Sequence, residues 1–326
     1  MSKNVLIITN KEDLTVDYVV KELQKRGVNY YRFNTEDISH GIDIFFDGSE
    51  YLLKDNIKNR VLNLANFDSV YYRRPKLPAV NNSLSIGEKY FILGEFETYL
   101  EGLYRHLSDK YWLNSVFDIR ILENKMYQIV LAKELGFLVP DLNVSSTPEK
   151  SLEFIHKNEK TIFKPLKTGF IDEANGKSKI IYTSRVDDSF VNKIERNRGF
   201  PVYVQKEIEK ECDVRVTIVG RNVYAAKIMS QISKNSQVDW RKSEHMLEHK
   251  KIRIPSLIEK KCLNLCEKYS LDFAAIDFVL DKDGEFWFLE INPNGQWAWI
   301  EEMLQYPISE KIVTSLLEGT LNEENT

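Results

Sequence analysis

The sequence predicts a mixed α/β and α+β fold with more than one core. Three observations lead there. The N-terminus reads strand, helix, strand: Val5 to Ile8 is a short apolar run, Asp13 can cap a helix running to about Arg26 that Gly27 ends, and Val28 to Phe33 returns as a strand. Such a βαβ start usually belongs to a parallel sheet. The C-terminal third reads instead as antiparallel hairpins, with strands 214–219 and 223–229 around Gly220-Arg-Asn222 and a longer pair around Asp283-Gly284. Aspartate followed by glycine between apolar runs is the strongest short hairpin signal. Finally, 326 residues are enough for two or three domains.

The turn after the first strand, Thr9 to Leu14, has no glycine, which excludes a Rossmann-type dinucleotide site. Residues 42–46 and 51–53 pair through Asp47-Gly48. Ser69 to Pro75 is a strand ending in Arg73 and Arg74, with Pro75 blocking further ladder bonds. An arginine pair can grip a carboxylate or phosphate, although on residue type alone a solvated strand end is the simpler reading. Residues 86–106 form a long helix whose apolar stripe, from Ile86 and Tyr90 to Leu103 and Leu107, suits a core or a dimer interface.

Residues 119–136 are expected as one helix carrying Lys125, with Gly136 as its stop. A strand follows at Leu142 to Ser145, then a helix from Pro148 to Lys157. The apolar strand Thr161 to Leu166 holds one charge, Lys164. An unpaired charge there is costly, so Lys164 is a stronger functional candidate than Lys125. The segment from Lys167 to Lys177, with Gly169 and Gly176, is expected as a mobile lid over phosphates, and Lys179 to Ser184 as the returning strand. Val202 to Ile208 is a strand that breaks into Glu209 to Asp213. Arg215 and Lys227, in the next hairpin, are candidates to face an anion together. His245 and His249 are spaced for one helix face but lack the metal-hydrolase pattern. Helices at 255–269 and 307–317 complete the chain, with a frayed tail.

The hairpin around Asp283-Gly284 carries the chemistry. With a two-residue turn, Lys282 pairs with Glu285, Asp277 lies opposite Glu290, and Asn292 shares their face. A longer loop would leave the two carboxylates diagonal on the same face. Like charges at cross-strand distance repel, so the pair needs a cation or a shared proton. Two carboxylates and an amide oxygen suit Mg²⁺ rather than zinc.

Composition narrows the class. A net charge of -4 argues against general nucleic-acid affinity, and three cysteines make no disulfide framework. No apolar run reaches the length of a membrane span and the start lacks a signal peptide, so a cytoplasmic enzyme is expected.

The order of these residues resembles the ATP-grasp ligases, in particular those similar to the ribosomal-protein-S6 glutamate ligase, over residues 119 to 318. Tyr71 to Pro75, Asp239-Trp-Arg241 and Asn292 to Trp297 add a narrower resemblance to the graspetide, or microviridin-type, peptide maturases. The resemblance implies a pre-ATP-grasp α/β domain at 1–118, ATP-grasp subdomains at 119–200 and 201–320, and a tail at 321–326. It implies ATP phosphates held by Lys125 and Lys164, and adenine at a hinge of Gln205, Lys206, Glu207 and Ile208. Lys206 stands where the family often has an acid, so its backbone is assigned to the base. Ribose falls to Asp213, and two Mg²⁺ ions to Asp277, Glu290 and Asn292. Arg215, Arg241 and Lys227 would act on the reacting phosphate, and Arg73 and Arg74 on the peptide. The implied activity joins Asp or Glu side chains of a precursor peptide, with a leader and an acidic core, to Ser, Thr or Lys side chains as lactones or lactams. The enzyme would be a homodimer. Addition of a free amino acid to a protein or peptide is the alternative, and a non-catalytic peptide-binding protein a further one.

Overall fold

The computed structural model describes residues 3–38, 40–167, 169–172, 178–196 and 198–319. In chain order the N-terminal elements are β1 (Asn4–Thr9), α1 (Thr15–Lys25), β2 (Asn29–Asn34), β3 (Ile42–Phe46), β4 (Tyr51–Asp55), β5 (Arg60–Asn63), β6 (Ser69–Tyr72), α2 (Ile86–His106), β7 (Tyr111–Leu113) and α3 (Val116–Leu122). The middle holds α4 (Lys125–Glu134), β8 (Leu142–Ser145), α5 (Pro148–Lys157), β9 (Thr161–Lys164), β10 (Phe170–Asp172), β11 (Ser178–Ile180), β12 (Ser184–Arg185) and α6 (Asp188–Arg196). The rest is β13 (Val202–Lys206), β14 (Lys210–Val219), β15 (Asn222–Ile228), β16 (His249–Lys251), α7 (Ser256–Lys268), β17 (Phe273–Asp281), β18 (Phe286–Asn292), α8 (Ala298–Leu304) and α9 (Ile308–Glu318). Among the described residues no helix is long and apolar enough to cross a membrane.

The N-terminal strands form a parallel sheet in the order β2-β1-β6-β7, beside a small antiparallel sheet β3-β4-β5. Two further sheets flank the cleft described below, β12-β9-β13-β8 and β16-β15-β14-β17-β18. One apolar core lies on one face of the five-stranded sheet, between Phe278, Phe288 and Ile276 and helices α4 and α7. A second joins the N-terminal sheet and α1 to α8, α9 and Trp297. The N-terminal α/β unit and the C-terminal sheet therefore share apolar core.

Several local expectations change. The helix expected at 119–136 is two helices, because the Asn124 side chain accepts from the Tyr127 N–H and caps a new start. This sets Lys125 at the first turn of α4. The His245–His249 segment, polar by sequence, brings one histidine into packing. His249 opens edge strand β16, and its ring meets Trp299 with centroids 5.0 Å apart. The α2 stripe is buried at Leu100, Leu103 and Leu107 but exposed at Ile86 and Tyr90. Within the expected lid, 167–177, lies β10, which pairs with β11 on the expected returning strand, and Gly176 lies outside the described residues.

The hairpin around Asp283-Gly284 has its expected partners for an unexpected reason. Its turn is not two residues: the Asp281 N–H donates to Glu285 O at 3.1 Å, leaving a three-residue loop with Gly284 at φ 87°. Leu280 then faces Phe286 and Phe278 faces Phe288. Continued, that register would set Asp277 against Leu289 and turn Glu290 to the other face. A bulge at Leu289 restores it, so that Asp277 faces Glu290 and Ala275 faces Asn292. Deletion of Leu289 should therefore remove the bulge and leave a regular ladder in which Glu290 still faces Asp277 and Asn292 still faces Ala275. Retained near-ultraviolet circular dichroism and cooperative melting would report it. Loss of both would mean that the cleft residues need the bulge itself to keep their face.

Candidate active site

A cleft of about 880 Å³ opens between the sheets β12-β9-β13-β8 and β16-β15-β14-β17-β18. Asp277 and Glu290 form its floor, and each already faces a cation. Arg215, directly across β14 from Asp277, holds that carboxylate through Nε and through Nη2, the latter at 3.0 Å. Lys125 Nζ lies 3.4 Å from Glu290 and donates to Pro165 O at 3.2 Å. Burial pushes Asp277 above its ordinary value, with Arg215 opposing and the Glu290 charge adding to the rise. Burial acts the same way on Glu290, yet Lys125 and Lys164 hold it below the usual carboxylate range. Asn292 joins the same face, and its Oδ1 accepts from the Asn294 N–H at 3.1 Å, leaving a second lone pair.

Among the described residues no three His, Cys, Asp or Glu side chains converge on one point. Two carboxylates and one amide do not cage an ion alone. They suit a hard cation that takes its remaining oxygens from phosphate and water, as Mg²⁺ does.

Lys164, on β9, forms no salt bridge among the described residues. Burial brings its pKa down to about 8, Glu290 opposing the drop and Lys125 and Lys210 adding to it. Gln205, on β13, is 1% exposed, and its Oε1 has no hydrogen-bond partner among the described residues although the side chain borders the cleft. Beyond it, the Lys206 N–H donates to Asp141 O at 2.8 Å and the Glu207 N–H to Lys160 O at 2.9 Å. The Lys206 side chain is exposed, and the Glu207 carboxylate is gripped by Arg185 at 2.8 Å. Ile208 borders the cleft directly after them. The buried Asp213 carboxylate is held by Lys210 at 2.7 and 2.9 Å, a partner that sequence reasoning missed. Lys210 sits in a run of charged residues that carries no signal of burial. Arg241 binds both oxygens of Asp239, at 2.8 and 2.7 Å, and Asp239 also accepts the Thr183 N–H at 3.1 Å.

Two expected site residues stand apart. Lys227 does not share an anion site with Arg215. It pairs in register with Val214, one residue out of phase with Arg215, so it projects from the opposite face and binds Glu211. Arg73 is not offered to a ligand. It is 2% exposed and donates to Asp13 at 3.3 Å, to Asn294 O and Oδ1 at 3.0 and 2.9 Å, to Gly295 O at 2.8 Å and to Gln296 Oε1 at 3.2 Å. Arg74, in contrast, is exposed at the cleft with φ 45°, and its Nε donates to Asn294 O at 3.3 Å. A second buried clamp, Asn114, was not foreseen either. Its amide donates to Phe273 O and Pro293 O at 2.7 and 2.8 Å and accepts the Asp272 and Phe273 N–H groups.

With this geometry in hand, residues 123–316 match the model of the RimK-like ATP-grasp domain, and residues 4–120 that of the MvdD pre-ATP grasp domain. The chain belongs to the RimK-like ATP-grasp family. This ATP-grasp chain is 28% identical to a Chryseobacterium gregarium RiPP-associated ATP-grasp ligase solved with ADP and a leader and core peptide, with 96% of each chain covered and a TM-score of 0.86. It is 25% identical to the macrocyclase MdnC of Microcystis aeruginosa MRC, solved with the precursor peptide MdnA, over 97% of this chain and 100% of that one, at a TM-score of 0.86. The macrocyclase MdnB of the same organism is 27% identical over 97% and 100%, at 0.81. Comparison with curated proteins gave no match.

The burial of Arg73 predicts its phenotype. Arg73→Met leaves the Asp13 carboxylate buried and unpaired, which typically costs about 3–5 kcal/mol. Arg74→Ala, at an exposed site, should change stability by no more than about 0.5 kcal/mol. Urea unfolding of the two variants checks this. Equal midpoints would mean that Arg73 is not a structural clamp.

Proposed function

We propose that this protein uses ATP to activate Asp or Glu side chains of a precursor peptide and joins them to Ser or Thr hydroxyls or Lys amines of the same peptide, closing macrocycles. The observation that carries this reading is similarity along nearly the whole chain to ligases solved with precursor peptides, at 28% and 25% identity. The cleft supports it. An orphaned amide oxygen at Gln205 suits an exocyclic amine, and a desolvated lysine at Lys164 suits a phosphate.

In this reading Lys125 and Lys164 hold the nucleotide phosphates. The base would lie against Gln205, the Lys206 and Glu207 carbonyls and the Ile208 N–H, since the Lys206 and Glu207 N–H groups already donate to Asp141 O and Lys160 O. Asp213, steadied by Lys210, would meet the ribose. Asp277, Glu290 and Asn292 would hold Mg²⁺, two ions in the full complement, which would supply positive charge against the nucleotide phosphates. A peptide carboxylate attacks the γ-phosphorus and ADP leaves, giving an acyl phosphate. A hydroxyl or amine then attacks the acyl carbon, and phosphate leaves with the carboxylate's former oxygen. Arg241 and Arg215 would stabilise the charge on the transferring group, and Arg74 would orient the carboxylate. Catalysis here is mostly positioning and charge stabilisation. Dependence on the leader, a homodimer and a cytoplasmic location belong to the same reading.

The match to RimK-like domains supports a second reading, addition of a free amino acid. Mass spectrometry of a candidate precursor peptide with a leader and an acidic core, incubated with the protein, ATP and Mg²⁺, separates the two. Macrocyclisation loses one water per ring, and Glu290→Gln should abolish that loss. A gain equal to an amino-acid residue or a phosphate would overturn the proposal.

Nucleotide affinity should depend on pH through Lys164. The free side chain titrates near about 8, and a bound phosphate would hold its proton. Binding then costs nothing extra below that pH but requires proton uptake above it. The Kd for ADP should be flat from about pH 6.5 to 7.5 and rise toward about tenfold per unit above 8. Calorimetry over that range tests this, and Lys164→Arg should flatten the profile. A flat wild-type profile would remove Lys164 from the phosphate site.

A further inference from the structure

The strand β18 carries Glu290 and Asn292, yet it is the outer strand of its sheet and bulged at Leu289. An edge strand is paired on one side only, and a slip of one residue exchanges its two faces. Here a slip would send both cleft residues into the core. Something must hold the outer edge.

On an antiparallel edge strand, alternate residues turn their N–H and C=O groups outward. Phe288 points outward, and its N–H donates to Leu138 O at 2.8 Å. Past the bulge the next outward residue is Ile291. The Gln128 carboxamide meets both of its backbone groups: the Ile291 N–H donates to Oε1 at 3.1 Å and Nε2 donates to Ile291 O at 2.8 Å. Nε2 also donates to Leu122 O at 2.5 Å, so the amide is tied to the end of α3 as well. Gln128 is 4% exposed. It lies one turn after Lys125 on α4, which brings its own ammonium to Glu290.

We propose that Gln128 is a positioning residue of the cleft. Its carboxamide stands in for a neighbouring strand beside the bulge and locks the register that presents Glu290 and Asn292 next to Lys125. An amide serves where neither an acid nor an apolar side chain would, since the site needs one acceptor and one donor in a plane. In the slipped register, position 290 or 292 would turn its backbone outward instead, and the Gln128 contact could not form. The contact therefore selects the bulged register over the regular one.

The metal arm of the test rests on the proposed Mg²⁺ reading, and the exchange arm does not. Gln128→Met keeps the volume and removes both bonds, whereas Gln128→Glu keeps the acceptor and loses the donor. In hydrogen exchange by NMR, the Ile291 amide should lose protection in Gln128→Met and keep part of it in Gln128→Glu, while the Phe288 amide stays protected in both. By calorimetry, the strengthening of ADP binding by Mg²⁺ should fall about 10- to 100-fold in Gln128→Met, the usual effect of losing a group that orients metal ligands. ADP affinity in EDTA should stay within about threefold of wild type, which a general loss of folding would not allow. Unchanged Ile291 protection would overturn the proposal. So would a drop in ADP affinity that is equal with and without Mg²⁺, since Gln128 would then serve only the helix. If wild-type protein binds ADP equally with and without Mg²⁺, the metal reading fails, and the exchange result alone decides the role of Gln128.

Discussion

The site depends first on a buried guanidinium. Arg73 leaves the N-terminal sheet after β6 and enters the loop that follows β18, where it binds Asn294, Gly295 and Gln296 while Asp13 neutralises it. A buried ion pair by itself adds little, because desolvation offsets the attraction. This one supplies donors to several loop acceptors that would otherwise be buried unpaired. The chain of contacts continues. Gln296 O accepts from Arg215 Nη1 at 3.3 Å, and Arg215 holds Asp277. The N-terminal domain is thus wired to the floor of the cleft, and Asn114 ties it to β17 independently. A domain that resembles an accessory module is part of the wall of the site.

The second constraint is charge. Asp277 and Glu290 face each other across two strands and would repel. The structure relieves this by giving each a cation of its own, a guanidinium that grips Asp277 with two nitrogens and an ammonium near Glu290. Among the described residues Lys164 has no such partner, and burial brings its pKa down to about 8 although Glu290 opposes the drop. An anion entering the cleft beside Glu290 meets Lys164, which forms no salt bridge among the described residues, and Lys125 and Arg215, which are already shared, so binding can redistribute existing pairs without building a field from nothing. Preorganised dipoles and charges of this kind are what phosphoryl transfer requires of a protein.

Much of this was legible in the sequence, because function left charges where apolar strands should have none. Lys164, Asp213, Arg215, Asp277 and Glu290 stand out for that reason alone, and all border the cleft. What sequence could not resolve was phase. Lys227 is as conspicuous as Arg215 but sits out of phase on the opposite face. Arg73 and Arg74 are adjacent and of one type, yet one is a clamp and the other an exposed cleft residue. The distinction depends on Asn294 to Gln296, more than two hundred residues away. Asn114 and Gln128 carry no signal, since a lone amide in a helix or after a strand is ordinary until its partners are known.

The hairpin gives the clearest case of why the remainder stayed hidden. A two-residue turn and a regular ladder predict Asp277 opposite Glu290. The structure has a three-residue turn and a bulge, and the two one-residue shifts cancel. The same pairing could have arisen without either device. The bulge adds a local kink beside Asp277 and Glu290 and leaves Leu289 bordering the cleft. Irregularity at this point costs ladder bonds, and the structure concentrates its compensation there: Leu138 takes the Phe288 N–H below the bulge, and Gln128 takes Ile291 above it. Local rules tend to break where a site must be built, and the groups that make the break tolerable come from elsewhere in the chain. Those groups lie on α4 and on the segment after it, so the helix that delivers Lys125 to Glu290 also steadies the strand on which Glu290 stands.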